Sequence, residues 1–515
     1  MFRSWFEKER IIIFGTGGMA KKLSKDLPFS VNVLGYSDNN AATHGKRFLG
    51  KPIIAPKDIE SIDVDYVVIA SQSYKAIEEG LLAQKIISKE KIAYFSKYEI
   101  KPSALKEQTI KWSFEFFSYW LNPVTRSMSH QLFVEPGCQL TPINWLDTQS
   151  ASILKEIEPQ AIFTGQGPKF IEKPQQFAKV NMPAVRAYQF SNTCIESASR
   201  LFIQHDKALL ERGLEKDSFQ GDFCGGAIVQ QSQTAVIHKQ YPTLELEKGI
   251  VINGVAESNY YHCIIEILSQ LYYLDKLGAE YDDYPLLISK NMLAIPSVND
   301  CFNSLNITRQ VIPLTAGHFY NVKQLLAITT PNNNLAINLN YGHCEPSQNY
   351  FRQNSLDYIR EHSLALLNNN KVEANRRIFM ARKGPIRSYN QQAVFELLAQ
   401  YNFELVHTEE MTFLEQVALM QQSQYVVGPT GAAWTNLLFA NSGTKALCWQ
   451  AENLANFSCF SNLANIYGVD LAYLTYSTRA KSTRDLFYES YQIDIDKIES
   501  WLKSINLQVV SSRDE

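Results

Sequence analysis

The sequence predicts an α/β protein built on parallel sheets, and three observations carry that prediction. Short, mostly apolar runs, such as 10–14, 65–70 and 425–427, read as strands buried on both faces. Helical patterns follow several of these runs, which is the alternation of β-α-β units. Gly, Asn, Asp, Ser and Pro cluster where the strands end, so the connections fall just past the strand ends.

At 515 residues the chain has room for two or three domains. A hydrophobic content of 45% and a charged content of 20% are those of a soluble globular protein. The net charge of -3 argues against a nucleic-acid partner held by bulk charge. There is no apolar run of about 18 residues, and the first eight residues are charged too early for a signal peptide. A cytoplasmic protein, in peripheral contact with the inner membrane at most, is the expectation. The eight cysteines include no CxxC pair, so neither a zinc site nor a disulfide framework is expected.

From the N-terminus, a strand over 10–14 turns through Gly15-Thr16-Gly17-Gly18 into a helix over 21–27. Strands over 31–36 and 65–70 complete the order of a small Rossmann-like module. Gly15-x-Gly17-x-x-Ala20, with Asp38 about 20 residues on, is a loose dinucleotide fingerprint. Gly15, Gly17, Gly18 and Asp38 are thus candidates for holding a nucleotide or NAD. The alternative is a degenerate module kept for docking. Residues 35–56 resemble the N-terminal nucleotide-binding module found ahead of sugar-modifying enzymes, including sugar acetyltransferases. The pattern stops near Tyr94-Phe95, too soon for a whole dehydrogenase domain.

An aromatic-rich connector follows, read as an interdomain plug or a membrane- or partner-facing stretch. Residues 160–249 read as short strands and turns with one helix around 197–212. A strand over 248–254 then leads into a helix that Ser258 or Asn259 can cap. Ile264, Ile265, Leu268, Leu271 and Tyr272 make its apolar stripe, while Asn259, His262 and Glu266 share another face. A carboxylate four residues from an imidazole can orient it and raise its basicity, which suits a general base. An ordinary helix-start histidine satisfied by a neighbouring glutamate is the alternative. Strands over 285–289 and 324–329 imply a second α/β sheet.

After a long helix over 350–368 the alternation restarts. A strand from 376 ends in Arg382 and Lys383, and Arg387 precedes a helix over 391–400. A strand over 403–407 ends at Glu409. A short helix over 412–420 leads to a strand over 425–427, a Gly428-Pro429 turn and a helix that opens on Gly431-Ala432-Ala433. Small residues let a ligand approach the backbone, and the first N–H groups of a helix favour an anion. Thr430, Thr435 and Asn436 add neutral donors. Strand ends in one parallel sheet share one crevice. Cations meet phosphates there and a carboxylate can hold ribose hydroxyls. Nothing resembles a Walker loop, so magnesium-dependent nucleotide hydrolysis is not expected.

Together, Asn259-Tyr260-Tyr261-His262…Glu266, the run Arg377–Lys383 with Arg387 and Asn390, Glu409…Phe413…Glu415-Gln416, and Gly428-Pro429-x-Gly431-Ala432-x-x-Thr435-Asn436…Phe439 resemble glycosyltransferase family sixty-one of the capsule and surface-polysaccharide type. The resemblance covers roughly residues 132–475. It implies a GT-B architecture with two facing Rossmann-like domains, a nucleotide-sugar donor held mainly by the second, and inversion at the anomeric carbon with no metal or other cofactor. The domain plan is then 1–100 for the nucleotide-binding module, 101–131 for the connector, 132–345 for the acceptor-side domain and 346–515 for the donor domain with the tail. On this plan His262 or Glu266 is the base, with Asn259 on the acceptor side. Arg382, Lys383 and Arg387 neutralise the diphosphate with Thr430, Gly431, Ala432, Thr435 and Asn436, and Glu409 binds ribose. A UDP-sugar is the expected donor, and a glycan or lipid-linked glycan of the surface-polysaccharide assembly machinery the expected acceptor. Family members often carry histidine where this chain has Thr430, and a less bulky residue than Trp434. That departure leaves open a non-catalytic scaffold that senses sugar nucleotides.

Overall fold

The computed structural model describes residues 9–27, 31–71, 74–94, 137–171, 173–211, 225–231, 234–334, 346–367, 373–384, 387–480, 486 and 489–509. The connector predicted over 101–131 lies outside the described residues. The chain is a mixed α/β protein divided into two units, Met1–Trp112 and Ser113–Glu515.

In the first unit, strands Lys51–Ile54, Val31–Ser37, Glu9–Phe14, Tyr66–Ile69 and Ile92–Tyr94 lie side by side and parallel, and Arg47–Phe48 pairs antiparallel at one edge. Ile11 and Ile13 enter the core on one face of this sheet, and Ile12 and Phe14 the core on the other. That two-sided burial is why residues 11–14 read as an uninterrupted apolar run. Gly15 has φ +121°, and a Cβ there would lie 2.8 Å from Ala70 O. Only glycine fits.

The second unit holds two large sheets. One is a mixed sheet of eleven strands, in which Phe319–Ile328, Thr243–Ile252, Leu286–Ser289 and Val311–Leu314 run parallel and most of the remainder antiparallel. The helix expected around 197–212 is absent. Phe202–Gln204 and Lys207–Leu210 are instead two strands of a hairpin, turned by His205 at φ +56° and Asp206. The second strand gains a parallel partner in Cys138–Trp145. This pairing across more than sixty residues wins over a local pattern that reads equally well as helical.

The other sheet is wholly parallel, in the order Lys169–Phe170, Asp470–Tyr476, Lys445–Ala451, Ser423–Pro429, Arg376–Met380 and Glu404–Val406. Its first strand comes from the segment assigned above to the acceptor-side domain. One apolar core joins the two sheets: Ile250 and Ile252 of the first, Ile264, Ile265, Leu268 and Leu271 of the helical segment after it, and Ile378, Met380, Val426 and Ala446 of the second all belong to it. The helix Gln353–Ala365 and the helical turns of Ala432–Phe439 supply further residues to this shared layer.

Candidate functional site

The helix after the Thr243–Ile252 strand begins where the sequence places it. Asn259 caps it, its Oδ1 accepting from Tyr261 N at 2.9 Å. It does not stay regular. Tyr260–His262 is α-helical, Cys263–Ile267 is a π-helical turn and Leu268–Lys276 is 3-10. Such a change of pitch frees carbonyls, and side chains take them up. Ile265 O accepts from Ser269 Oγ and Asn332 Nδ2, and Glu266 O accepts from Gln270 Nε2. Within this segment His262 Nδ1 lies 3.0 Å from Glu266 Oε2, a close imidazole–carboxylate contact. The carboxylate is the deeper member, with a side chain 5% exposed against 13% for the imidazole. Below it a buried network ties Arg200 to Glu211, Asn253 and Gln270. This layer fixes the strand end and the helix together, and its members come from distant parts of the chain that local pattern does not connect.

In the parallel sheet, Arg382, Lys383, Glu409 and the stretch from Pro429 onward follow the carboxyl ends of neighbouring strands, as expected. Their surroundings differ from one another. Arg382 sends Nη2 to Thr430 O, and Gln391 clamps its backbone twice, accepting from Arg382 N at 2.8 Å and donating to Arg382 O at 3.1 Å. Sequence reasoning passed over Gln391, because only the fold shows which backbone it holds. A Cβ on Gly431 would sit 3.0 Å from Arg382 Nη2, so the glycine leaves room for the guanidinium. Among the described residues no carboxylate lies within ion-pair distance of Arg382. Lys383 is different: its Nζ pairs with Glu410, and its N–H donates to Glu409 Oε1 at 3.0 Å.

Arg387, at φ +53°, stands close enough to Arg382 that burial and this second cation bring its pKa down to about 10. Its loop is held by the C-terminal tail. Asn390 exchanges two hydrogen bonds with the Ile493 backbone, and Tyr491 N donates to Ser388 O. Tyr491 stacks on Tyr389 and, at 3.6 Å between ring centroids, on Tyr476. Two half-buried arginines thus stand together beside an aromatic stack.

Arg382 Nε, Tyr389 Oη, His407 Nδ1 and Thr435 Oγ1 are buried and have no hydrogen-bond partner among the described residues. All four follow strand ends of this one sheet. Buried polar groups rarely go unpaired. Ala432–Phe439 is a 3-10 helix in which Trp434 N is bonded back to Gly431 O. The N–H groups of Ala432 and Ala433 precede that bond and have no acceptor within the helix. Thr430 is nearly buried, its N–H bonded to Trp449 O. Trp434 is wholly buried, with Nε1 donating to Pro429 O, so its bulk belongs to the core. Asn436 is also buried, and its amide is occupied on both sides, by Tyr260 Oη at 2.9 Å and Gln416 Oε1 at 2.8 Å.

The burial of Arg387, with Arg382 beside it, gives a testable consequence. A base whose folded pKa, about 10, lies below its ordinary value carries a folding penalty at every pH below about 10, relieved only as pH climbs above that. Arg387→Met is therefore expected to raise the melting temperature of the ligand-free protein by a degree or two at pH 7. It should also remove any stabilisation by an added nucleoside diphosphate. Differential scanning fluorimetry reads both.

In the first unit, the glycine turn and Asp38 do meet. Thr16 Oγ1 donates to Asp38 Oδ2 at 2.6 Å, and Asp38 Oδ1 accepts from Asn40 N. Gly17 caps the helix Gly18–Asp26, and a Cβ there would meet nothing within 4 Å. Among the described residues, no group of three or more His, Cys, Asp or Glu side chains is arranged to hold a metal ion, and no helix is long and apolar enough to cross a membrane.

Residues 260–447 match the family model described as Glycosyltransferase 61. That segment starts at Tyr260 and ends inside the Lys445–Ala451 strand, so it takes in both the imidazole–carboxylate pair and the arginine-lined strand ends. Residues 7–93 match a model described as C2185-like, N-terminal. No curated protein matches the chain. The chain is a glycosyltransferase, similar over residues 260–447 to family 61.

Proposed function

We propose that the protein is an inverting, metal-independent transferase that moves a sugar from a nucleotide-sugar donor, a UDP-sugar, to a hydroxyl of a growing bacterial surface polysaccharide. The observation that carries the donor side is the Arg382–Arg387 pair, set among unpartnered buried polar groups at the carboxyl end of a parallel sheet. Arg382, Arg387 and the N–H groups at Gly431 and Ala432 take the diphosphate. Thr430 and Thr435 line it, Glu409 holds the ribose, and Lys383 screens the rim. On the acceptor side, His262 or Glu266 removes the hydroxyl proton as C1 is attacked, and the departing diphosphate keeps the bonding electrons. The two large sheets are then the two halves of a GT-B-type transferase fused through a common helical layer. We place the enzyme in the cytoplasm, against the membrane where lipid-linked acceptors are extended. Thr430, where a cationic histidine is usual, favours the second reading of a non-catalytic sugar-nucleotide-binding scaffold.

The test is a heat-unfolding screen of the native chain and Arg382→Ala against UDP, GDP, CMP, several UDP-sugars and NAD. A rise of a few degrees with one uridine ligand, lost in Arg382→Ala, is the expected result. A rise with NAD that survives the substitution would move nucleotide binding to Gly15, Gly17, Gly18 and Asp38. No rise with any ligand would overturn the donor assignment.

A further inference from the structure

Tyr260 and Asn436 lie 176 positions apart in the chain, yet the Tyr260 hydroxyl donates to Asn436 Oδ1 at 2.9 Å. The bridge continues. Asn436 Nδ2 donates to Gln416 Oε1 at 2.8 Å, and Gln416 Nε2 donates to Met411 O at 3.2 Å. Asn436 and Gln416 are 1% and 5% exposed, so these bonds run through the shared apolar layer between the sheets. Because a tyrosine hydroxyl and a carbonyl stand at its two ends, every amide in this row has one orientation that satisfies all bonds.

Each end of the row sits beside one half of the proposed chemistry. Tyr260 is two residues before His262, in the turn that Asn259 caps. Asn436 belongs to the helical turns that begin at Ala432, and Trp434 Nε1 fastens those turns to Pro429 O. Arg382 holds the next carbonyl, at Thr430. A continuous set of bonded groups thus joins the imidazole–carboxylate segment to the arginine-lined loop. Apolar side chains would pack such a layer at least as stably, but they would leave its register loosely set. A buried polar row has one satisfied arrangement, and displacing it leaves an unpaired group.

We propose that Tyr260, Asn436 and Gln416 form a positioning bridge that sets the His262–Glu266 pair against the donor loop. They act through what they hold and touch no substrate. Asn436 accordingly leaves the set of donor-binding residues. The proposal rests on reading the arginine-lined loop as the nucleotide site.

The probe is whichever of UDP, GDP, CDP and ADP raises the melting temperature of the full chain most. The ring signals of isotopically labelled histidine are followed by NMR, with the His262 signal identified by its loss in His262→Gln. In the native protein, saturating nucleotide should move the His262 signal. Tyr260→Phe, which removes one hydroxyl and keeps the ring, should bind the nucleotide within about threefold of the native Kd and lose that movement. An equal movement in both proteins, or none in the native one while the nucleotide binds, overturns the bridge and leaves the donor site standing. If none of the four nucleotides stabilises the native chain, the donor reading falls and the bridge falls with it.

Discussion

Arg382→Ala is expected to lower turnover at saturating donor by ~10²–10³-fold, the scale of losing one preorganised group that stabilises charge forming in the transition state. The geometry argues for an effect on that scale. The guanidinium is held by Thr430 O, its backbone is clamped at both N and O by Gln391, and no carboxylate neutralises it among the described residues. Its charge is thus fixed in place before the leaving diphosphate develops its own, and little reorganisation remains to be done. Lys383→Ala is the internal comparison. Its ammonium is paired with Glu410 and its side chain is 60% exposed, where charge is screened by water and salt. A fall of less than about tenfold is expected there, on the small energies of exposed ion pairs. Initial rates with the nucleotide-sugar selected by the unfolding screen measure both. Native turnover in Arg382→Ala would remove the residue from the chemistry, and equal losses in the two variants would mean that general positive charge, not placement, is what matters.

The contrast between Arg382 and Lys383 also shows where a sequence stops being readable. Both residues follow the same strand, and the short apolar run of residues 378–381 locates that strand end within a few positions. The partners decide which cation is committed. Glu410 and Gln391 reach Lys383 and Arg382 from elements whose distance is set only by folding. The same holds for Asn436, whose amide reads as a free donor in sequence and is bonded on both sides in the structure. The contacts that Tyr491 and Ile493 make with Arg387's loop are equally out of reach, since that tail lies about a hundred residues away. Local periodicity fared worst between 138 and 239. There most of the strands are stabilised by pairing across the mixed sheet, and a hairpin at 202–210 carries apolar residues at spacings a helix would also show. It fared best where strands are buried on both faces and each returns through a helix. The i, i+4 spacing of His262 and Glu266 was visible, but the π-helical turn between them was not.

That turn bears on the second large effect. Placing Glu266 in a π-helical segment whose freed carbonyls are taken by Asn332, Ser269 and Gln270 fixes the carboxylate from behind. His262 stands between it and the outside, the more exposed of the two. This layering favours the imidazole as the group that meets the acceptor hydroxyl and the carboxylate as the one that orients it. His262→Gln is therefore expected to cost ~10²–10⁴-fold in kcat, the range for losing a positioned general base, and to remove the acid limb of the pH–rate profile. Glu266→Gln keeps the size of the side chain and an acceptor oxygen, and loses only the charge. It should cost about tenfold to a hundredfold less than His262→Gln and keep the acid limb, because the proton acceptor itself is still present. Measuring kcat across pH for both variants, with donor and acceptor saturating, separates the roles. If Glu266→Gln is the inactive one and His262→Gln keeps both its rate and its acid limb, the carboxylate is the base and the histidine a structural neighbour. The bridge through Tyr260 would then be positioning Glu266 in place of the imidazole, since both ride on the same capped segment.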